Sequence, residues 1–125
     1  MREREKGTGM LRRFLGENAR PASSIDVATA YEHLTAGAAV MVDVREWPEW
    51  REGHVAGARL IPLGELAVRL EELPRDRELL LFCRSGHRSD TATRYLRELG
   101  YPLARNVEGG ILAWLRQGLP VERDY

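Results

Sequence analysis

Cys83 is the only cysteine of a 125-residue chain, and it stands where the apolar run Leu79 to Phe82 meets the segment Cys83-Arg84-Ser85-Gly86-His87-Arg88-Ser89. A lone cysteine after an apolar run is usually a small buried hydrophobe, a role that asks nothing of the residues behind it. Here Gly86 permits a tight turn, Ser85 and Ser89 keep the space open, and a loop running from a strand end into a helix start turns backbone N–H groups onto the sulfur. Such groups favour the thiolate, which is the nucleophilic form. A helix N-terminus contributes about 0.3 to 2 kcal/mol to an anion, and a guanidinium at about 5 Å with an effective dielectric near 20 adds ~3 kcal/mol. Arg84 is therefore the first candidate for contact with an anionic substrate and Arg88 the second. His87 reads as an exposed loop residue before it reads as a proton shuttle.

A loop of this kind needs elements that hold both its ends. Asp26 can cap a helix whose apolar residues Val27, Ala30, Tyr31 and Leu34 follow helical spacing, with Gly37 at its end. Ala38 to Val44 reads as a buried strand, and the Trp47, Pro48, Gly53 and Gly57 segment as loops with one short helical turn before a strand at Arg59 to Ile61. Leu63, Leu66, Leu70 and Leu73 predict a helix that Pro74 stops. Glu78 to Cys83 has the continuous apolar character of a strand covered on both faces. Ser89 is placed to cap the next helix, with Ala92, Tyr95, Leu96 and Leu99 inward and Gly100 at its end. A strand at Ala104 to Val107 then leads through Gly109 and Gly110 into a helix carrying Ile111, Trp114 and Leu115.

Strands and helices alternate, which predicts an α/β domain with a mainly parallel sheet over residues 23–125, preceded by an extension over residues 1–22. In such sheets ligands gather at the carboxyl ends of the strands, where Cys83 sits. In the extension Gly7, Gly9, Gly16 and Pro21 interrupt a charged segment, and Met10, Leu11, Phe14 and Leu15 form its only sticky face.

The loop Cys83 to Ser89 resembles the active loop of single-domain rhodaneses, in which the cysteine carries sulfane sulfur as a persulfide. Val42-Asp43-Val44-Arg45-Glu46 with Gly53 to Leu63 is similar to that family's amino-terminal signature, and Asn106 to Val121 to its carboxyl-terminal one. The likeness runs from about Ser24 to Val121. It implies a five-stranded parallel sheet with helices on both faces, and a two-step transfer in which Cys83 takes sulfur from thiosulfate or a persulfide donor and yields it to cyanide, a thiol or a protein acceptor. Arg84, Ser85, Gly86, His87, Arg88 and Ser89 would form the substrate and persulfide loop. Asp43 and Arg45 would support it, Asp43 by pairing with a loop arginine or accepting loop N–H groups.

Two related loops differ. Cysteine-based phosphatases of the cell-cycle type need one more residue between cysteine and arginine, and Ser89 stands where that arginine would be. Mercaptopyruvate sulfurtransferases resemble Cys-Gly-Ser-Gly rather than Cys-Arg-Ser-Gly. Two-domain rhodaneses carry a further substrate arginine beyond the first signature, where this chain has Glu46, Glu49 and then Arg51, so a strong thiosulfate preference is not expected. A sulfur-delivery or regulatory interaction module is the alternative from another class, which an exposed Met10, Phe14 and Leu15 face would favour.

Nineteen basic residues balance nineteen acidic ones, so no net field selects nucleic acid or an anionic membrane. One cysteine and no long apolar stretch point to a reducing, cytoplasmic setting. His33, His54 and Cys83 stand at no ligand spacing, so no metal is expected, and Gly109-Gly110 indicates no nucleotide, so no cofactor is expected either. His33 reads as a solvated helix residue, His54 as a hydrogen-bonded turn histidine, and Trp47 and Trp50 as packing residues.

Overall fold

The computed structural model describes residues 21–124. The expected face of Met10, Leu11, Phe14 and Leu15 lies outside the described residues. Five strands, β1 (Ser24–Ile25), β2 (Ala39–Asp43), β3 (Arg59–Leu60), β4 (Glu78–Phe82) and β5 (Ala104–Val107), form one sheet in the order β1-β5-β4-β2-β3. Every pairing is parallel. Four helices accompany them: α1 (Val27–Thr35), α2 (Trp47–Glu52), α3 (His87–Glu98) and α4 (Gly110–Arg116). This is the α/β architecture that the alternation of patterns predicts.

The central strand β4 decides where the thiol goes. Side chains alternate across a strand, so Leu79, Leu81 and Cys83 join one core with Ala92 and Leu96 of α3, while Leu80 and Phe82 join the other with Ala30 of α1 and Trp114 of α4. In that second core the Trp114 ring meets Phe82 and Tyr31 edge-on, with centroids 5.6 and 5.7 Å away. Cys83 thus continues the row of leucines beneath α3, and the N-terminus of that helix is the first thing its sulfur meets.

Several expectations change in detail. The leucine segment forms two 3-10 turns, Leu63–Val68 and Leu70–Glu72, instead of one α-helix. Leu63 and Leu66, then Leu70 and Leu73, are each three apart, the spacing that a 3-10 turn eclipses on one side. Between the turns Arg69 leaves helical geometry at φ −123°. Ser89 does not cap α3: Gly86, at φ +100°, occupies that position, and the helix starts two residues before Ser89. Tyr95 and Leu99 are exposed rather than inward. The Glu78 carboxylate accepts a 2.6 Å hydrogen bond from His33 Nδ1, so His33 does not simply stand in solvent. The capped start of α1 is as expected, with the Thr29 N–H donating to the Asp26 carboxylate at 2.7 Å.

Leu81 is fully buried at the centre of the sheet. Leu81→Ala is expected to cost about 2 to 5 kcal/mol in urea unfolding, through lost transfer free energy and the cavity left behind.

Candidate active site

The loop after β4 is shaped from below by α4. The N–H groups of Ile111 and Leu112 donate to the carbonyls of Cys83 and Arg84 at 2.9 and 3.1 Å. This approach requires glycine at 110, where an added Cβ would lie 2.3 Å from the Cys83 carbonyl oxygen and 2.6 Å from that of Arg84. In a trans peptide the N–H points opposite to the C=O. With both carbonyls tied to α4, the following N–H groups, those of Arg84 and Ser85, turn away from α4 and toward the loop's interior.

The sulfur sits in that interior with no exposed surface. The Gly86 N–H donates to Sγ at 3.1 Å and the Ser89 N–H at 3.3 Å, and the Ser89 hydroxyl lies 3.2 Å away. Burial pushes the thiol up, but the Ser89 hydroxyl and the N–H groups of Ser89, Gly86 and Ser85 together outweigh it and hold Cys83 below the ordinary thiol value. The Ser89 hydroxyl also lies 2.6 Å from Oδ1 of Asn106 on β5. Asn106 is buried and carries no role in the sequence reading. Its signal was parity: Ala104 faces the α3 core, so position 106 faces it too, and an asparagine there needs a polar partner.

The charged residues of the site are largely paired. Arg88 makes a two-pronged contact with Glu49 of α2, each nitrogen-to-oxygen distance 2.8 Å, so it is an ion-pair partner and not an open anion contact. Hydrogen bonding from Arg88 is the main reason the Glu49 carboxyl is lowered to about 2. Asp43 does not pair with a loop arginine. It binds Arg45 two residues on, through Nε at 2.9 Å and Nη2 at 2.8 Å, and accepts the Arg45 N–H at 3.0 Å. Arg45 in turn donates to the Gly53 carbonyl at 2.8 Å, which fixes the turn after α2. Arg84 is exposed and makes no ion pair with a described residue. It lines a cleft of about 220 Å³ shared with Arg45 and Glu49 on one side and Ile111, Leu112 and Leu115 on the other. Ser85 and His87 are exposed at the mouth of the loop.

The remaining candidates pack. Trp50 stacks on His54 with ring centroids 3.8 Å apart, and His54 Nδ1 bonds the Trp50 carbonyl at 2.9 Å. Trp47 is half exposed. Among the described residues no three His, Cys, Asp or Glu side chains converge to hold a metal ion, and no helix is long and apolar enough to cross a membrane.

The sequence profile of the rhodanese-like domain matches residues 26–117. The chain belongs to the rhodanese-like domain family. A sulfurtransferase of Allochromatium vinosum is 40% identical over 82 residues, which cover 66% of this chain and 77% of that protein. An HTH-type transcriptional regulator of Mycobacterium tuberculosis is 38% identical over 82% of this chain but only 46% of its own length. Among solved structures, a rhodanese-related protein of Thermoplasma volcanium superposes with a TM-score of 0.76 at 36% identity, covering 82% of this chain and all of that one. The human single-domain sulfurtransferase gives 0.70 at 31% identity, covering 78% of this chain and 98% of that one. This rhodanese-like domain has the parallel five-stranded sheet that the resemblance implies.

The Glu49–Arg88 pair makes stability depend on pH in one direction. A carboxyl lowered in the folded state stabilises fully above its ordinary value of 4.5 and loses that contribution as pH falls toward about 2. The unfolding free energy of the natural chain is expected to exceed that of Glu49→Gln by up to about 1 kcal/mol at neutral pH, the pair being partly exposed. Urea unfolding at stepped pH is expected to show the gap closing through that acid window.

Proposed function

We propose that this domain is a sulfurtransferase that moves sulfane sulfur from thiosulfate or a persulfide donor to a thiophilic acceptor through a persulfide on Cys83. The observation that carries the reading is the buried sulfur facing convergent N–H and hydroxyl groups at a strand end. The relatives named as sulfurtransferases support it.

In the first step the Cys83 thiolate attacks the outer sulfur of thiosulfate. An S–S bond forms to Cys83, the outer sulfur's old S–S bond breaks, and its electron pair leaves on sulfite. In the second step an acceptor nucleophile such as cyanide or a thiol attacks the terminal sulfur and returns the Cys83 thiolate. Each step begins or ends with an anion in the loop, and fixed N–H groups stabilise it without reorganising. Arg84, in no ion pair with a described residue and beside the cleft, is the anion contact of choice. Arg88 is held by Glu49 and acts on the sulfur through its charge, while Asp43 and Arg45 brace the segment that carries Glu49.

One observation favours a second reading, in which the persulfide is a signal or a delivered cargo rather than a turnover intermediate: the likeness to the HTH-type regulator. On that reading the domain loads sulfur and releases it slowly.

Intact-protein mass spectra after treatment with excess thiosulfate are expected to show a gain of about 32 Da, one sulfur atom, that cyanide or dithiothreitol removes. Cys83→Ser, nearly the same size, is expected to keep the fold and gain nothing. A lasting adduct with negligible cyanide turnover would favour the second reading; no adduct with thiosulfate or an organic persulfide would refute both. Arg84→Ala is expected to lower kcat/KM for thiosulfate by a factor equivalent to about 1.5 to 3 kcal/mol, as loss of a charge-assisted contact does. An unchanged value would remove Arg84 from the site.

A further inference from the structure

The Ser89 hydroxyl stands between two groups that it cannot serve at once. It has one proton, and both the Asn106 Oδ1 at 2.6 Å and the Cys83 sulfur at 3.2 Å are within reach. With Oδ1 facing Ser89, the arrangement of the resting thiol, the short bond takes the hydroxyl proton. Oγ is then left with lone pairs toward the sulfur, an arrangement that suits a thiol, whose S–H can donate, and opposes an anion, which cannot. The hydroxyl favours the anion only once the amide has turned. Turning the Asn106 amide over changes the sense of the chain without changing its shape. Nδ2 then donates to Oγ, and the only direction left for the hydroxyl proton is the sulfur.

The surroundings make this a buried, three-membered chain. Asn106 pairs in register with Leu81 of β4, two residues before Cys83, so it faces the same side of the sheet as the sulfur. Cys83 and Ser89 are fully buried and Asn106 is nearly so. Ser89 is fixed from above as well, its carbonyl accepting from the Thr93 hydroxyl at 2.8 Å. The far side of the Asn106 amide faces Gly86, where a Cβ would lie in ordinary contact with Nδ2 at 3.9 Å.

We propose that Asn106 is a positioning residue for Cys83: its amide sets the direction of the Ser89 hydroxyl and so decides whether the sulfur meets an acceptor or a donor. One orientation holds the resting thiol; the other holds the sulfur anion. Asn106 acts through Ser89 and touches no substrate. The inference deepens the sulfurtransferase reading, but its test needs no sulfur donor and so can succeed or fail apart from it.

The test is a double-mutant cycle read by the pH midpoint of Cys83 alkylation with iodoacetamide in fully reduced protein. Ser89→Ala is expected to raise the midpoint by about 1 pH unit, the size of one hydrogen bond to an anion. Asn106→Leu leaves the hydroxyl able to reach the sulfur but no longer fixed on it, so its rise in the natural background is expected to be smaller than that of Ser89→Ala, and it is expected to add nothing in the Ser89→Ala background. Charged groups near the sulfur, Arg88 with Glu49 from α3 and α2, Asp43 with Arg45 from β2 and its loop, and the exposed Arg84 and His87, are common to all variants. Should the leucine variant fail to fold, Asn106→Asp keeps the shape and can only accept from Ser89. Its rise is then expected to be larger with Ser89 present than in Ser89→Ala, where its charge alone remains. An Asn106→Leu midpoint equal to the natural one, or an Asn106 effect of equal size in both backgrounds, would overturn the proposal. A coupled midpoint in a protein that gains no sulfur would instead leave the proposal standing and sink the transferase reading.

Discussion

The two hydrogen bonds from the start of α4 to the carbonyls of Cys83 and Arg84 set the chemistry of this domain. A peptide plane has two polar ends, and tying one end down aims the other. With α4 holding these carbonyls the Ser85 N–H turns toward the sulfur, joining the Gly86 and Ser89 N–H groups that the start of α3 supplies. The close approach explains Gly110, whose position leaves no room for a Cβ. It also makes a helix remote in sequence part of the site without any of its side chains reaching the thiol.

The same economy runs through the electrostatics. Burying a thiolate is unfavourable, and here the opposing contributions are dipoles and hydroxyls at fixed distances rather than a bare cation against the sulfur. The full charges nearby are kept in pairs, Arg45 with Asp43 and Arg88 with Glu49. A buried Arg45 without Asp43 would be an uncompensated charge, so that pair serves the frame and not the reaction. Arg84 is exposed at the edge of a cleft that is partly apolar and that Arg123 also lines, and it makes no ion pair with a described residue. A site arranged in this way stabilises an anion that comes and goes while its own charges stay balanced.

The frame was legible because β4 and its neighbours carry unbroken apolar runs, the pattern of strands covered on both faces. Cys83 at a strand end followed from that pattern, and the five-stranded parallel sheet from the pattern together with the family resemblance. What escaped were features decided by neighbours. The residues at Ser24–Ile25 form a strand only because β5 offers an edge. Leucines spaced by three fit a helix or a 3-10 turn equally well until packing chooses. Ser89 looked like a cap because hydroxyl residues usually cap helices; Gly86 at positive φ takes that place and frees the hydroxyl for the sulfur. Arg88 looked available because nothing in a sequence announces that Glu49, thirty-nine residues earlier, will face it. Asn106 passed unremarked within a recognised signature, although a polar residue at a core-facing strand position asks for a partner.

The central claim is that folding, and not the thiol's intrinsic chemistry, favours the Cys83 anion. The most direct measurement follows thiolate ultraviolet absorbance against pH for the folded protein and for the same protein unfolded in urea, with Cys83→Ser treated alike to subtract the absorbance of the four tyrosines. The folded midpoint is predicted to lie below the unfolded one, because the loop donors outweigh burial. A folded midpoint equal to or above the unfolded one would mean that burial wins, and the loop would then be packing around an inert thiol.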